Sequence, residues 1–316
     1  MNKFLKIIFF CLSLSVQLFA QENFAKADAY ALKVGKLDSM NMGSIATILT
    51  KPFPEKIDKA RAIYTWIATN IAYDVKMASR FQTDKNTPAE VLKYRKAVGI
   101  GFAGLFQDMC SSAGIRCLTA DGHIKRTTEE IGDDDLEKNH SWAVVQLGTS
   151  PDKWFYVDAA LASGSVDEAM KVFTPKFSGN YFFANKAIFN WQHFPDNPAW
   201  KLDAGPKSKK EFLALPIIKA AAYDVELKKF TPAEAKQKAS LSKPVNFSFT
   251  FGKSIDVTKV TLQYGDAKKK KIKDALFDYK DGVLSFSYKF DVDDTYPVTI
   301  SVNGAELITY LFEVEE

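Results

Sequence analysis

Three groups of residues could do chemistry by type and spacing. Gly99, Gly101 and Gly104 spell G-x-G-x-x-G within RKAVGIGFAGLFQDMC, residues 95–110. His140 opens the stretch HSWAVVQL, and Asp158 closes KWFYVD. The glycine pattern is the written form of a dinucleotide cradle, which needs a buried strand feeding the glycines, a helix after them and an acidic residue about 20 positions on. A helix is expected, and Asp121 lies at a tempting distance. The feeding strand is missing: VLKYRKAV is charged and reads as helix, and no βαβαβ alternation follows. The glycines therefore do not read as a nucleotide site.

His140 and Asp158 suggest a different chemistry. A nucleophile at a helix N-terminus is activated by the local dipole. A histidine on a neighbouring strand can take its proton, and a carboxylate can orient that histidine. Alternation along HSWAVVQL puts His140, Trp142 and Val144 on one face. Asp158 follows an apolar run in which an unpaired carboxylate would be costly. A hydrogen-bonded surface histidine and a capping aspartate are the plain alternatives. His123, at the end of the preceding strand, could join His140 and Asp158 around a metal or serve as a loop-side polar group. His193, in an aromatic stretch, reads as a packing or hydrogen-bonding residue.

The elements that must position these groups follow from periodicity. Residues 24–75 read as helical, best in PEKIDKARAIYTWIATNIAYD, where Ile57, Ala60, Ile63, Tyr64, Ile67 and Ile71 recur at helical spacing. Residues 76–87 read as loop. Thr87 and Pro88 start a short helix, and FAGLFQDMCSSAG is a helix closed by Gly114. IRCLTADGHI, HSWAVVQL and KWFYVDAAL are strands, with the acidic loop TTEEIGDDDLEKN between the first two. Residues 165–215 are irregular and aromatic. From about residue 223, NFSFTFG, KVTLQYG, GVLSFSYKF, YPVTISVNG and LITYLFEV alternate as a β-sandwich does. The basic run DAKKKKIK, residues 266–273, reads as a solvated hairpin or a surface anion site.

The motifs together resemble the transglutaminase-like superfamily. In that family a segment like G-V-C-x-G-Y-A-x-L-F carries the nucleophile; here it corresponds to AVGIGFAGLF, residues 97–106. H-A-W-N carries the base, matched by HSWA from His140, and W-Y-x-V-D carries the acid, matched by WFYVD to Asp158. AIYTWIATNIAYD, residues 62–74, resembles the family's W-I-x-x-N-I-x-Y-D helix. Residues 181–216 resemble the H-x-P-x-D-x-x-W extension of the kyphoscoliosis-peptidase-like branch. The resemblance covers about residues 55–216. It implies an α+β fold: a papain-like core of helices packed on an antiparallel sheet, with the Ig-like β-sandwich after it. It also implies His140 as base and Asp158 as its orienter. The family's cysteine falls on Gly99, which has no side chain to attack a carbonyl. Cys110 lies 11 residues on, roughly 16 Å along a helix, at the end where the dipole disfavours a thiolate.

With 316 residues, 47% hydrophobic and 25% charged, the chain has ample material for two domains, and a net charge of +4 does not suggest a nucleic-acid binder. MNKFLKIIFFCLSLSVQLFA, residues 1–20, has two lysines before a short apolar run and a small residue at its end, the pattern of a secretory signal peptide. The expected organisation is a signal peptide at 1–20, a transglutaminase-like domain at 21–222 and an Ig-like domain at 223–316, exported to periplasm or beyond. No later segment is long and apolar enough to span a bilayer. After cleavage Cys110 and Cys117 remain, as a disulfide or as buried thiols. No cofactor or metal is expected. The functional expectation is a non-catalytic family member whose cleft binds a peptide or a peptidoglycan-like ligand, or scaffolds the β domain. With cysteine at 99 the same frame would be a thiol peptidase or transglutaminase. Water activation in the same cleft, or adhesion through the β-sandwich, are the other readings.

Overall fold

The computed structural model describes residues 24–80, 85–147, 153–167, 169–265 and 270–316. The expected signal peptide lies outside them, as do residues 266–269 of the basic run. The N-terminal half is helical: α1 (Ala25–Val34), α2 (Met42–Thr50) and α3 (Lys56–Asn70). The apolar face of α3 puts Ile63, Tyr64, Trp66 and Ile67 fully inside. Arg61, on the same helix, reaches Asp28 of α1 through a two-pronged pair at 2.7 and 2.8 Å, tying the first helix to the third.

The segment leading to the glycines departs from its expected loop-then-helix form. A short α4 (Val75–Ser79) follows β1 (Ala72–Tyr73), because Asp74 caps it by accepting from the Met77 amide. Helix α5 (Pro88–Tyr94) begins with the Thr87–Glu90 capping box and stops when Arg95 turns left-handed at φ 53°. Lys96–Ala97 then forms β2, parallel to β1, instead of continuing a helix. This turn delivers the chain into α6 (Gly99–Ser112).

Helix α6 packs against β3 (Arg116–Ile124) and β4 (His140–Gln146). Those strands lie in an antiparallel sheet ordered β5 (Trp154–Val157), β4, β3, β8 (His193–Pro195). The core between helices and sheet holds Phe102, Phe106, Trp142 and Tyr156. After β5 the chain runs through α7 (Ala159–Ser163), the hairpin β6 (Gly164–Val166)/β7 (Phe173–Pro175) and α8 (Lys186–Gln192) before reaching β8, then α9 (Lys209–Ala214). The stretch expected to be irregular thus returns to the sheet and supplies one of its edge strands.

The C-terminal part is a pair of sheets. One is ordered β10 (Leu227–Thr231), β12 (Val245–Phe251), β16 (Val283–Tyr288), β15 (Asp278–Lys280). The other is ordered β11 (Lys236–Ser240), β18 (Ala305–Glu315), β17 (Asp294–Val302), β13 (Val260–Tyr264), β14 (Lys271–Asp274). Phe247 and Phe286 stack within the first sheet, and Phe247 meets Tyr310 and Phe312 of the second, as facing sheets require. The fold is α+β, and its β-rich C-terminal region is compatible with a sandwich. Strand β9 (Ile217–Ile218) pairs with β18, so residues upstream of 222 already join the C-terminal sheet. After α10 (Ala221–Asp224) begins, Tyr223 donates to Gln192 at 2.9 Å and Asn180 donates to Asp224 at 2.6 Å.

Candidate active site

The three glycines separate once the helix start is seen. Gly101 faces Asn86, whose Oδ1 accepts from the Val98 amide at 3.0 Å. A Cβ at 101 would lie 2.5 Å from that oxygen and 2.8 Å from Ala97 Cβ, so glycine answers a packing need. Gly104 has nothing within 4 Å of its missing Cβ. Gly99 is the first residue of α6, and its missing Cβ points at His140. The Cβ would stand 2.7 Å from Nδ1, 3.1 Å from Cε1 and 3.0 Å from the Ser141 nitrogen. The gap is too small for any side chain unless the ring or the helix start moves.

On its other side, the His140 ring is fixed. Its Nε2–H donates to Asp158 Oδ2 at 2.6 Å, with both side chains almost wholly buried. Position 99, Nδ1, Nε2 and Asp158 therefore lie in sequence, the order that a nucleophile, a base and its orienter would take. Asp158 is held from further directions. Its Oδ1 accepts from the Leu161 amide at 2.9 Å, capping α7, and its own amide donates to the Tyr181 carbonyl. It is the hydrogen-bond partner of His140 and a helix cap at once. His140 Nδ1 has no hydrogen-bond partner among the described residues.

A third residue completes the group. His193 Nε2 lies 3.0 Å from the same Asp158 Oδ2, and its ring stacks on Phe189 at 3.6 Å. Strand register explains why His193 is there and His123 is not. His140 pairs with Gly122, and His193 pairs with Ile124. Residues 122 and 124 share a face of β3, so both histidines point to the α6 side, and His123 points to the other. His123 instead meets the Glu137 carbonyl at 3.3 Å, and burial lowers its pKa. The suggested metal set of His123, His140 and Asp158 is therefore not assembled; the buried group is His140, Asp158 and His193. Its 2.6 and 3.0 Å separations are those of hydrogen bonds. Ligand atoms about 2.0–2.2 Å from a shared metal stand roughly 3 Å or more apart.

Electrostatics agree with an ionised Asp158 beside a neutral His193. Burial by itself would raise the Asp158 carboxyl, but His140 and His193 overrule it and hold it well below the usual carboxylate range. Burial pushes His193 down to about 4 against the pull of Asp158, so its ring is neutral at pH 7. Among the described residues neither cysteine lies at the start of α6. Cys110 is buried at the far end of α6, where burial and contact with the Cys117 thiol push its pKa well above the ordinary range. Both cysteines are unbridged and buried.

Residues 44–159 match the Transglutaminase-like superfamily. Kyphoscoliosis peptidase of Mus musculus is 33% identical over 190 residues, covering 60% of this chain and 28% of that protein. The Caenorhabditis elegans Lim and transglutaminase domain protein ltd-1 is 24% identical over 215 residues, covering 65% of this chain and 29% of the other. A solved structure described as "Crystal structure of a TGase" aligns with a TM-score of 0.28 at 17% identity, covering 47% of this chain and 35% of that one. The chain thus spans less than a third of the length of these curated relatives.

Proposed function

We propose that this chain, whose residues 44–159 match the Transglutaminase-like superfamily, is an exported, non-catalytic member of it whose vestigial cleft binds a peptide or a peptidoglycan-like ligand. One observation carries the reading: the direction in which a nucleophile should extend runs from a glycine straight into His140 Nδ1. The base and its carboxylate are in place, and the atom that would attack is not. Loss of the nucleophile from such a unit costs several orders of magnitude in rate. The retained His140–Asp158 bond does not require catalysis, since removing either partner would strand a buried polar group. Export rests on the lysine-led apolar run at 1–20.

The test compares the purified chain with His140→Ala in peptide hydrolysis and in amine incorporation into a glutamine-bearing protein. The expected result is the same background rate for both. Turnover that disappears with His140→Ala would overturn the reading and point to water activation or another nucleophile in this cleft.

A further inference from the structure

The extension that carries β8 adds a residue to the site. We propose that His193 is a positioning residue that acts through Asp158: it supplies the carboxylate with a second imidazole donor and so fixes the orientation in which His140 presents Nδ1 to position 99. The unit is a His–Asp–His trio drawn from β4, the α7 cap and β8.

The argument is one of donors and acceptors. Asp158 is an anion in a dry interior, and each carboxylate oxygen needs partners. Oδ1 is satisfied by the Leu161 amide; Oδ2 receives His140 at 2.6 Å and His193 at 3.0 Å. His193 faces two acceptors, Asp158 Oδ2 at 3.0 Å and the Phe189 carbonyl at 3.3 Å. A neutral ring has one proton to give. The closer and charged acceptor takes it, which puts the proton on Nε2. His193 is itself immobilised, sandwiched on Phe189 and edge-on to Trp142 at 5.1 Å. A carboxylate held from two directions by rigid rings cannot rotate, and the imidazole bonded to it cannot either. With His193 removed, Oδ2 would keep one donor, and the His140–Asp158 bond would lose its fixed geometry.

The inference concerns the resting protein, so its failure is separable from failure of the binding reading: no ligand or substrate enters the test. Nitrogen-15-labelled full chain is examined by proton NMR for solvent-protected imidazole N–H signals. The wild type is expected to show two downfield Nε2–H resonances, from His140 and His193. His193→Phe should lose one and shift the other, with faster exchange against water. His193→Gln, whose amide can still donate, should return the His140 signal toward its wild-type position. A purely structural role would lower the melting temperature of both variants and leave the His140 resonance where it was; that result overturns the proposal. Should His193→Phe not fold, the wild-type tautomer decides: Nε2-protonated His193 supports the trio, and Nδ1-protonated His193 contradicts it.

Discussion

A side chain at position 99 would have to share space with the His140 ring, which Asp158 holds from behind. Gly99→Ala should therefore destabilise the protein by about 1–3 kcal/mol, the usual cost of overpacking a fixed site, read from denaturant midpoints. Asp158→Ala should cost more, about 2–4 kcal/mol, because it removes the α7 cap and leaves two buried imidazole N–H groups without an acceptor. Much of this was legible in the sequence. His140 and Asp158 stand out because each adjoins a strand with clear alternation. His193 does not, because its partner is 35 residues away and β8 has only three residues. The one signal was the H-x-P pattern in 193–195, seen as a motif but without a chemical role. His123 looked a better candidate by position along β3, and only the register shows that it faces away.

At the scale of elements, three buried ionisable groups set the pH dependence. His193 is lowered to about 4 in the folded state and returns to about 6.5 when unfolded. The unfolded chain thus binds more protons between these values, and stability falls as pH drops from 6.5 toward 4, by on the order of 3 kcal/mol from this residue. Asp158, held low, adds a loss that sets in as pH falls below its unfolded value. His193→Phe should flatten the pH 4–6.5 part of the melting curve. Lys125 follows β3 and donates to the Phe212 carbonyl of α9 at 2.6 Å, its ammonium 3.6 Å from the Phe212 ring centre. Burial lowers it to about 7. Between pH 7 and 10.5 the unfolded state again binds more protons, so stability should rise with pH by up to about 1.4 kcal/mol per unit. Lys125→Met should lack that rise in urea titrations at pH 7, 8.5 and 10. The long strands were readable because Phe247, Phe249 and Phe251 alternate inward. Strands β11 (KQKAS) and β14 (KIKD) were not. They are edge strands, and the lysines that protect an edge from pairing also mask its pattern.

Among the described residues the helical part and the β-sheets share one large core. A cluster of buried side chains runs from Ala31 and Trp66 through Trp142 and Phe189 to Tyr310 and Val314. Strand β9 and the Tyr223–Gln192 bond cross between the helical part and the β-sheets. Thermal unfolding should accordingly show one transition, the same by tryptophan fluorescence, which reports mainly the N-terminal part, and by calorimetry. Two resolved transitions would mean that the halves are energetically separate. The central proposal is that His140 and Asp158 keep the frame of a triad around a nucleophile position held by Gly99. The most direct measurement is the alkylation rate of Gly99→Cys against pH, followed by intact mass beside Gly99→Cys/His140→Ala. If Nδ1 faces position 99 as described, the introduced thiol will react well below the pH at which a free cysteine ionises, and the His140→Ala partner will lose that advantage. Labelling at the rate of an ordinary thiol, indifferent to His140, would contradict the account.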